Sequence, residues 1–202
     1  MGFFERNRKA LVERGIDPAR LPPGQYTTER FPVLHVGTVP SYAEDLADWD
    51  LRIFGAVDHP YVLSWAELLA LPAVEVTQDI HCVTKWTMLD TVWKGVALRD
   101  LLDRAGLQPD AAHLIEHAEA GYTTNVPLAD ALETGMVAYE FGGLPLDPEH
   151  GFPARVVIPH LYFWKSAKWL RGLEVSVHDQ PGLWETNGYH NYADPFREQR
   201  YS

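Results

Sequence analysis

Hydrophobic and polar positions change their period several times along the chain, and each change marks an element. Residues 3–14 scatter apolar positions among charges and predict a short, polar helix, which Pro18, Pro22 and Pro23 end. "LPPGQYTTERFPVLHVGTVP" then predicts extended chain, because each proline also biases the residue before it away from helix. "DLRIFGAV" alternates as a half-buried strand, with Gly55 near a bend. In "SWAELLALP", Ser64 and Glu67 have capping-box spacing and Pro72 closes a short helix. "AVEVTQDIHC" predicts a strand that delivers Cys82 at its end. In "VALRDLLDRAGL", Val96, Leu98, Leu101, Leu102 and Ala105 share one face of an amphipathic helix that Gly106 stops.

The second half continues in short pieces. "AHLIEHAEAGYTTNVP" predicts a hairpin turning near Ala120-Gly121, and "LADALETG" a short helix ending at Gly135. "MVAYEFGGLPL" predicts a strand and a turn at Gly142-Gly143. "ARVVIP" and "WLRGLEVSV" are strands joined by "HLYFWKSAK", and the aromatic tail "LWETNGYHNYADPFREQRYS" is irregular. Strands and helices do not alternate as regular βαβ units, so the fold class is α+β with mixed sheets and short helices. No repeat or linker divides the chain. Residues 1–30 read as an N-terminal helix and extended arm, and 31–202 as one domain.

Length and charge narrow the function. With 202 residues the chain forms one domain or a compact pair, at ~150 residues per domain. A net charge of −11 repels phosphate backbones and argues against a nucleic-acid partner. A single cysteine allows no internal disulfide. "MGFFERNRKALVERGID" lacks the apolar core of a secretory signal, and no run of ~18 apolar residues occurs. The expectation is a cytoplasmic protein without membrane insertion.

Three stretches carry candidate chemistry. Cys82 can be a small buried hydrophobe, a nucleophile or a metal ligand. Lys85 and His81 stand close enough in sequence to favour its thiolate. "HLIEH", His113 to His117, matches H-x-x-E-H, a zinc-hydrolase pattern that needs a helix; its β-like surroundings favour a strand, with the two histidines beside Ile115 on one face. "ARVVIPHLYFWKSAKWLRGLEV" gathers Arg155, His160, Lys165, Ser166, Lys168 and Arg171 in an otherwise acidic protein. Cations and a hydroxyl on one short connection suit a bound phosphate. "GYTTN" adds Tyr122, Thr123 and Asn125 at a hairpin, and His35 lies within the extended stretch.

In order along the chain, "FPVLHVGTVP", "DLRIFGAVDHPYVLSWAELLALP", "DIHCVTKWTMLDTVWKGVALRDLL", "GYTTNVPL" and "ARVVIPHLYFWKSAKWLRGLEV" resemble five blocks of the molybdopterin-binding domain of the sulfite oxidase family, especially its short bacterial members. The resemblance runs from about Phe31 to the C-terminus and implies that family's fold. It implies a molybdenum–molybdopterin cofactor and Cys82 as the protein thiolate on the metal; the chain carries no C-x-x-C-H haem attachment site, so no haem is expected. It places Arg155, Lys165, Ser166 and Lys168 on the pterin and its phosphate. His35, His160, Tyr122, Thr123 and Asn125 become pocket residues, and Lys85 a donor to an oxo ligand or an anionic substrate.

The implied activity is two-electron oxygen-atom transfer to or from a small substrate, an S- or N-oxide or a sulfite-like molecule. A separate electron-transfer partner is expected. "VTKWTML" carries one Lys and no Arg where sulfite oxidases proper have an arginine-rich stretch, which leaves the substrate open. The alternatives are a hydrolase using Cys82 or a His113/His117 zinc site, and a non-catalytic pterin-binding protein.

Overall fold

The structure is a computed structural model and describes residues 2–202. Its elements, in chain order, are α1 (Phe3–Glu13), β1 (Tyr26–Thr27), β2 (Asp50–Gly55), β3 (Tyr61–Ser64), α2 (Trp65–Leu69), β4 (Val74–His81), β5 (Trp86–Ala97) and α3 (Leu98–Ala105). There follow β6 (His113–Ala118), β7 (Thr123–Pro127), α4 (Leu128–Thr134), β8 (Met136–Phe141), β9 (Leu144–Pro145), β10 (Arg155–Val157), β11 (Leu170–Ser176) and α5 (Leu183–Thr186).

Two mixed sheets carry the fold. In the six-stranded sheet the path runs β1-β5-β8-β10, with β4 also on β5 and β9 on β8. The five-stranded sheet has the order β3-β2-β11-β6-β7, with β2 and β11 parallel. The helices are short, and α2 begins as its sequence dictates. Glu67 N–H donates to Ser64 Oγ at 3.4 Å while Ser64 N–H donates to Glu67 Oε2 at 2.8 Å, a reciprocal cap.

The strand β5 organises the six-stranded sheet, and the hydrophobic pattern did not reveal it. Its 12 residues pair with β1 at one end, with β8 at the other, and with β4 along most of the length. Buried and half-buried positions occur on both faces of β5, so "WTMLDTVWKG" shows no clean alternation. The apolar run that predicts a helix from Val96 serves two elements: Val96 and Ala97 close β5, and the helix starts at Leu98. Gly95 permits the close approach of β5 to β8, since a Cβ there would lie 2.0 Å from the Val137 carbonyl oxygen.

"HLIEH" is strand β6. His117 Nε2 meets Glu174 Oε2 at 2.8 Å, and His113 Nδ1 lies 3.5 Å from Asp179 Oδ1. The helix that a zinc site of this pattern requires is not there. Among the described residues no group of three or more His, Cys, Asp or Glu side chains is placed to hold a metal.

Two apolar clusters fill the interior. The larger joins Leu51, Ile53 and Leu173 of the five-stranded sheet with Val96 and Val156 of the other and with Leu98, Leu101 and Leu102 of α3. The smaller contains Ile80, Cys82, Val83, Trp86, Trp93, Tyr162, Phe163 and Trp164. A cavity opens against this second cluster.

Candidate functional site

The cavity has a volume of about 500 Å³, ordinary for a small-molecule or cofactor site. Cys82 reaches it from a tight turn between β4 and β5. Lys85 N–H donates to the Cys82 carbonyl at 3.0 Å, and Cys82 N–H donates to the Trp86 carbonyl at 2.9 Å. Gln25 Nε2 donates to the same Cys82 carbonyl at 3.1 Å, so the backbone that carries the sulfur is held from two sides. Thr84 Oγ1 donates to Sγ at 3.1 Å.

The electrostatics of Cys82 differ from the expectation. Burial pushes its thiol pKa up, and the Thr84 hydrogen bond and the Arg200 charge offset this only in part. His81 is buried against Thr87, and that burial lowers its pKa to about 4, so it is neutral near pH 7 and gives no charge to the sulfur. Lys85 takes a positive φ of 77° at the turn and is exposed, outside the cavity lining. The protein does not itself make a thiolate here. A bound cation would, because a coordinating thiol loses its proton to the metal.

Two cations face the same cavity. Arg155 begins β10 and is buried; it donates to the His150 carbonyl and the Ser166 carbonyl, each at 2.9 Å. Its guanidinium lies 4.1 Å from the centre of the Phe163 ring. Burial lowers its pKa to about 9, against the opposing pull of Glu116 and Tyr122. Lys168 Nζ donates to the carbonyls of Leu34 and Glu149, each at 2.8 Å. Burial first, and the Arg155 charge second, lower its pKa to about 7.

Neither cation forms an ion pair with a carboxylate among the described residues. Gly151 lets them lie together: its φ is +116°, and a Cβ there would sit 3.1 Å from Arg155 Cβ and 3.2 Å from Lys168 Cβ. Ser166 adds a hydroxyl. Its Oγ accepts from Ile158 N–H at 2.9 Å, which leaves the O–H free to donate.

Of the residues expected at the site, the structure brings His35, Cys82, Tyr122, Arg155, Ser166 and Lys168 to the cavity wall. His35 is steadied by the Gly37 carbonyl at 3.0 Å and by the edge of Trp169. The Tyr122 hydroxyl is committed to the Trp164 carbonyl at 2.6 Å.

Lys85, Thr123, Asn125, His160 and Lys165 lie off the wall. Lys165 turns inward: it is 0% exposed, and its Nζ lies 2.6 Å from Glu185 Oε1 while donating to the Asn125 carbonyl at 2.8 Å and to Asn125 Oδ1 at 2.9 Å. Asn125 is thereby consumed in a buried network. Thr123 is paired with His117 between β6 and β7. His160 is held by Asp130 Oδ1 at 2.9 Å and by Thr134 Oγ1 at 3.1 Å, on and beside α4.

The remaining wall includes Val83, Thr84, Glu119, Trp164, Trp184 and Tyr189, which the sequence did not single out. The density of aromatics in the tail was visible, but no periodic pattern aimed them.

A sulfur on one part of the wall, and two counter-ion-free cations with a hydroxyl on another, fit a metal carried by an organic phosphate. The cavity is a candidate cofactor site, and the family match gives its class. Residues 36–184 match the oxidoreductase molybdopterin binding domain, and the chain belongs to that family.

It is 53% identical to "Uncharacterized oxidoreductase YuiH" of Bacillus subtilis, over 91% of this chain and 92% of that one. It is 30% identical to the sulfite oxidase of Gallus gallus, over 85% of this chain and 45% of that one. The chain thus spans nearly all of the first relative and less than half of the second. The crystal structure of the sulfane dehydrogenase SoxCD from Paracoccus pantotrophus shares the fold, with a TM-score of 0.63 and 23% identity over 73% of this chain and 42% of that one. The α+β architecture of mixed sheets and short helices is the sulfite-oxidase-type molybdopterin-binding fold, and the protein is an oxidoreductase of the molybdopterin family. Membership implies the molybdenum–molybdopterin cofactor and a small-molecule substrate. Among the described residues no helix is long and apolar enough to cross a membrane.

Proposed function

We propose that this protein is a sulfite-oxidase-type molybdenum enzyme that moves an oxygen atom to or from a small substrate, with Cys82 as the protein ligand of the metal. The observation that supports it is one cavity shared by Cys82 and by Arg155 and Lys168, two cations without a carboxylate partner. When bound, the cofactor supplies the two-electron exchange of oxygen.

The chain's own residues bind and orient. Cys82 Sγ holds the metal, and the Thr84 hydroxyl steadies the sulfur by donating to it. Arg155, Lys168 and Ser166 grip the phosphate by charge-assisted and neutral hydrogen bonds. His35 and the Tyr122 hairpin close the sides of the pterin site. Burial lowers the Lys168 pKa to about 7, and an arriving anion favours its protonated form. Trp164, Trp169 and Phe163 exclude water, which strengthens each of these charge interactions. Electrons are exchanged with a separate redox partner.

The test is elemental analysis of the purified protein together with fluorescence of its oxidised pterin, in the wild type and in Cys82→Ser. The expected result is near-stoichiometric molybdenum and viologen-linked reduction of small oxides in the wild type. The variant should keep its pterin and lose turnover. Full turnover in Cys82→Ser, or zinc in place of molybdenum, would overturn the assignment.

A further inference from the structure

We propose that Arg200, from the C-terminal tail, is a positioning residue for the turn that carries Cys82, and that its charge raises the reduction potential of the metal held there. This rests on the reading just given, because it takes Cys82 as the protein ligand of the metal.

The turn between β4 and β5 is held from behind by both ends of the chain. Three of its carbonyls accept from terminal segments: Cys82 from Gln25 Nε2 at 3.1 Å, Val83 from Arg200 Nη1 at 2.9 Å, and Lys85 from Tyr26 N–H at 2.9 Å. Arg200 Nη2 also donates to the Pro23 carbonyl at 3.3 Å, so one guanidinium ties tail, arm and turn together. Pro23, Gln25, Tyr26 and Arg200 all lie outside residues 36–184, the stretch that matches the family domain.

The tail is itself anchored. Tyr162 N–H donates to the Ala193 carbonyl at 2.8 Å, His190 N–H to the Arg200 carbonyl at 3.2 Å, and Ser202 N–H to the Gly188 carbonyl at 3.1 Å. The Arg200 guanidinium lies 4.9 Å from the centre of the Tyr162 ring, and the residue is 8% exposed.

Hydrogen bonds to carbonyls do not cancel this charge. Arg200 forms no ion pair with a carboxylate among the described residues, and Glu198, two positions before it, is exposed. A buried cation without a counter-ion is costly, and an opposite charge arriving nearby relieves it. The sulfur of Cys82 becomes that charge on loading, since a coordinating thiol loses its proton.

Arg200 is off the cavity wall, so it acts on the site only through the turn and through its field. A neutral donor could hold the Val83 carbonyl equally well. The guanidinium adds a fixed positive charge, which favours the more negative state of the metal. That state is the reduced one, so the charge raises the reduction potential.

The test is a redox titration of the molybdenum-loaded protein, with metal content and urea midpoint measured on every sample. Dithionite supplies electrons through dye mediators, the metal takes up one, and the half-reduced form is read by electron paramagnetic resonance. Wild type, Arg200→Gln and Arg200→Lys are compared. Gln keeps a donor and removes the charge, whereas Lys keeps the charge and removes the fork. The expected result is a lower potential in Arg200→Gln. The ratio of reduced to oxidised metal should fall about tenfold at a fixed potential, which is about 59 mV for one electron. Arg200→Lys should stay close to the wild type in potential while its urea midpoint falls.

A residue that only braces the turn would lower the urea midpoint in both variants and leave the potential of the loaded fraction in place. That result would overturn the inference, and so would equal loss of molybdenum from both variants. Loss of molybdenum from Arg200→Gln alone would support the role of the charge. An unchanged resonance in Cys82→Ser would overturn the proposed ligand, and this inference with it.

Discussion

The inner side of the connection between β10 and β11 and its cavity side carry the same residue type with opposite surroundings. Lys165 faces inward, 0% exposed, against a Glu185 that is itself 2% exposed. Lys168 faces outward to the cavity and finds only carbonyls. The paired lysine is part of the frame, because its charge is already cancelled. The unpaired one stores an unmet electrostatic demand, and such a demand marks where a ligand's charge belongs.

Substitutions can break this contrast. Lys165→Ala removes one partner of a buried pair and leaves the Glu185 carboxylate with neutral donors. It should cost about 3–5 kcal/mol of stability, read as a lowered urea midpoint. Lys168→Ala should leave the urea midpoint nearly unchanged and reduce cofactor retention instead. A lost charge-assisted contact of about 1.5–3 kcal/mol corresponds to roughly 10–100-fold weaker holding, measured as pterin remaining after dialysis. Equal effects of the two substitutions on stability would erase the distinction.

Acidity sharpens the same contrast. Lys168 has its pKa lowered from 10.5 to about 7 in the folded protein. Between those values the unfolded chain binds more protons than the native one, so this group makes the cofactor-free protein more stable as pH rises from about 7 to 10.5. Anion binding runs the other way, since it needs the protonated amine. Sulfate affinity should be flat below about 7 and decline above it, and Lys168→Met should move the decline up toward the Arg155 value of about 9. Titration calorimetry with sulfate, whose charge is constant across this range, checks both statements.

The smallest effect concerns geometry. Gly151→Ala forces a Cβ into a left-handed backbone and against the stems of Arg155 and Lys168. A destabilisation of about 1–3 kcal/mol is expected, with sulfate affinity reduced less than in Lys168→Ala.

Much of the fold was legible in residues whose local signal and tertiary role agree. The Ser64–Glu67 cap, the turn at Ala120-Gly121 and the turn at Gly142-Gly143 are built where their residue types demand, the last two with all four φ values positive. The strand β5 was not legible, because its burial on both sides removes the alternation that betrays a strand. At the site, Cys82 could be placed at a strand end from the β-branched run before it. Which members of K-S-x-K face the cavity could not be read. That choice is made by the turn at Phe163–Lys165 and by Glu185, and no local pattern links Lys165 to a residue 20 positions further on. His160 was likewise captured by Asp130, a partner 30 positions away. The wall formed by Trp184 and Tyr189 depends on Gly182 docking on β7, a contact between remote segments.

Lys168 also ties down the stretch from Phe31 to Pro40, through the Leu34 carbonyl. One ammonium thus fastens a flap of chain and awaits a guest in the same chamber. Phe31 anchors the base of the flap by stacking on His150, so lifting only its tip hands the Leu34 carbonyl to water and parts His35 from the edge of Trp169. A bulky guest is best admitted by this seam, and once inside it gives Lys168 a reason to stay charged and the flap a reason to stay shut.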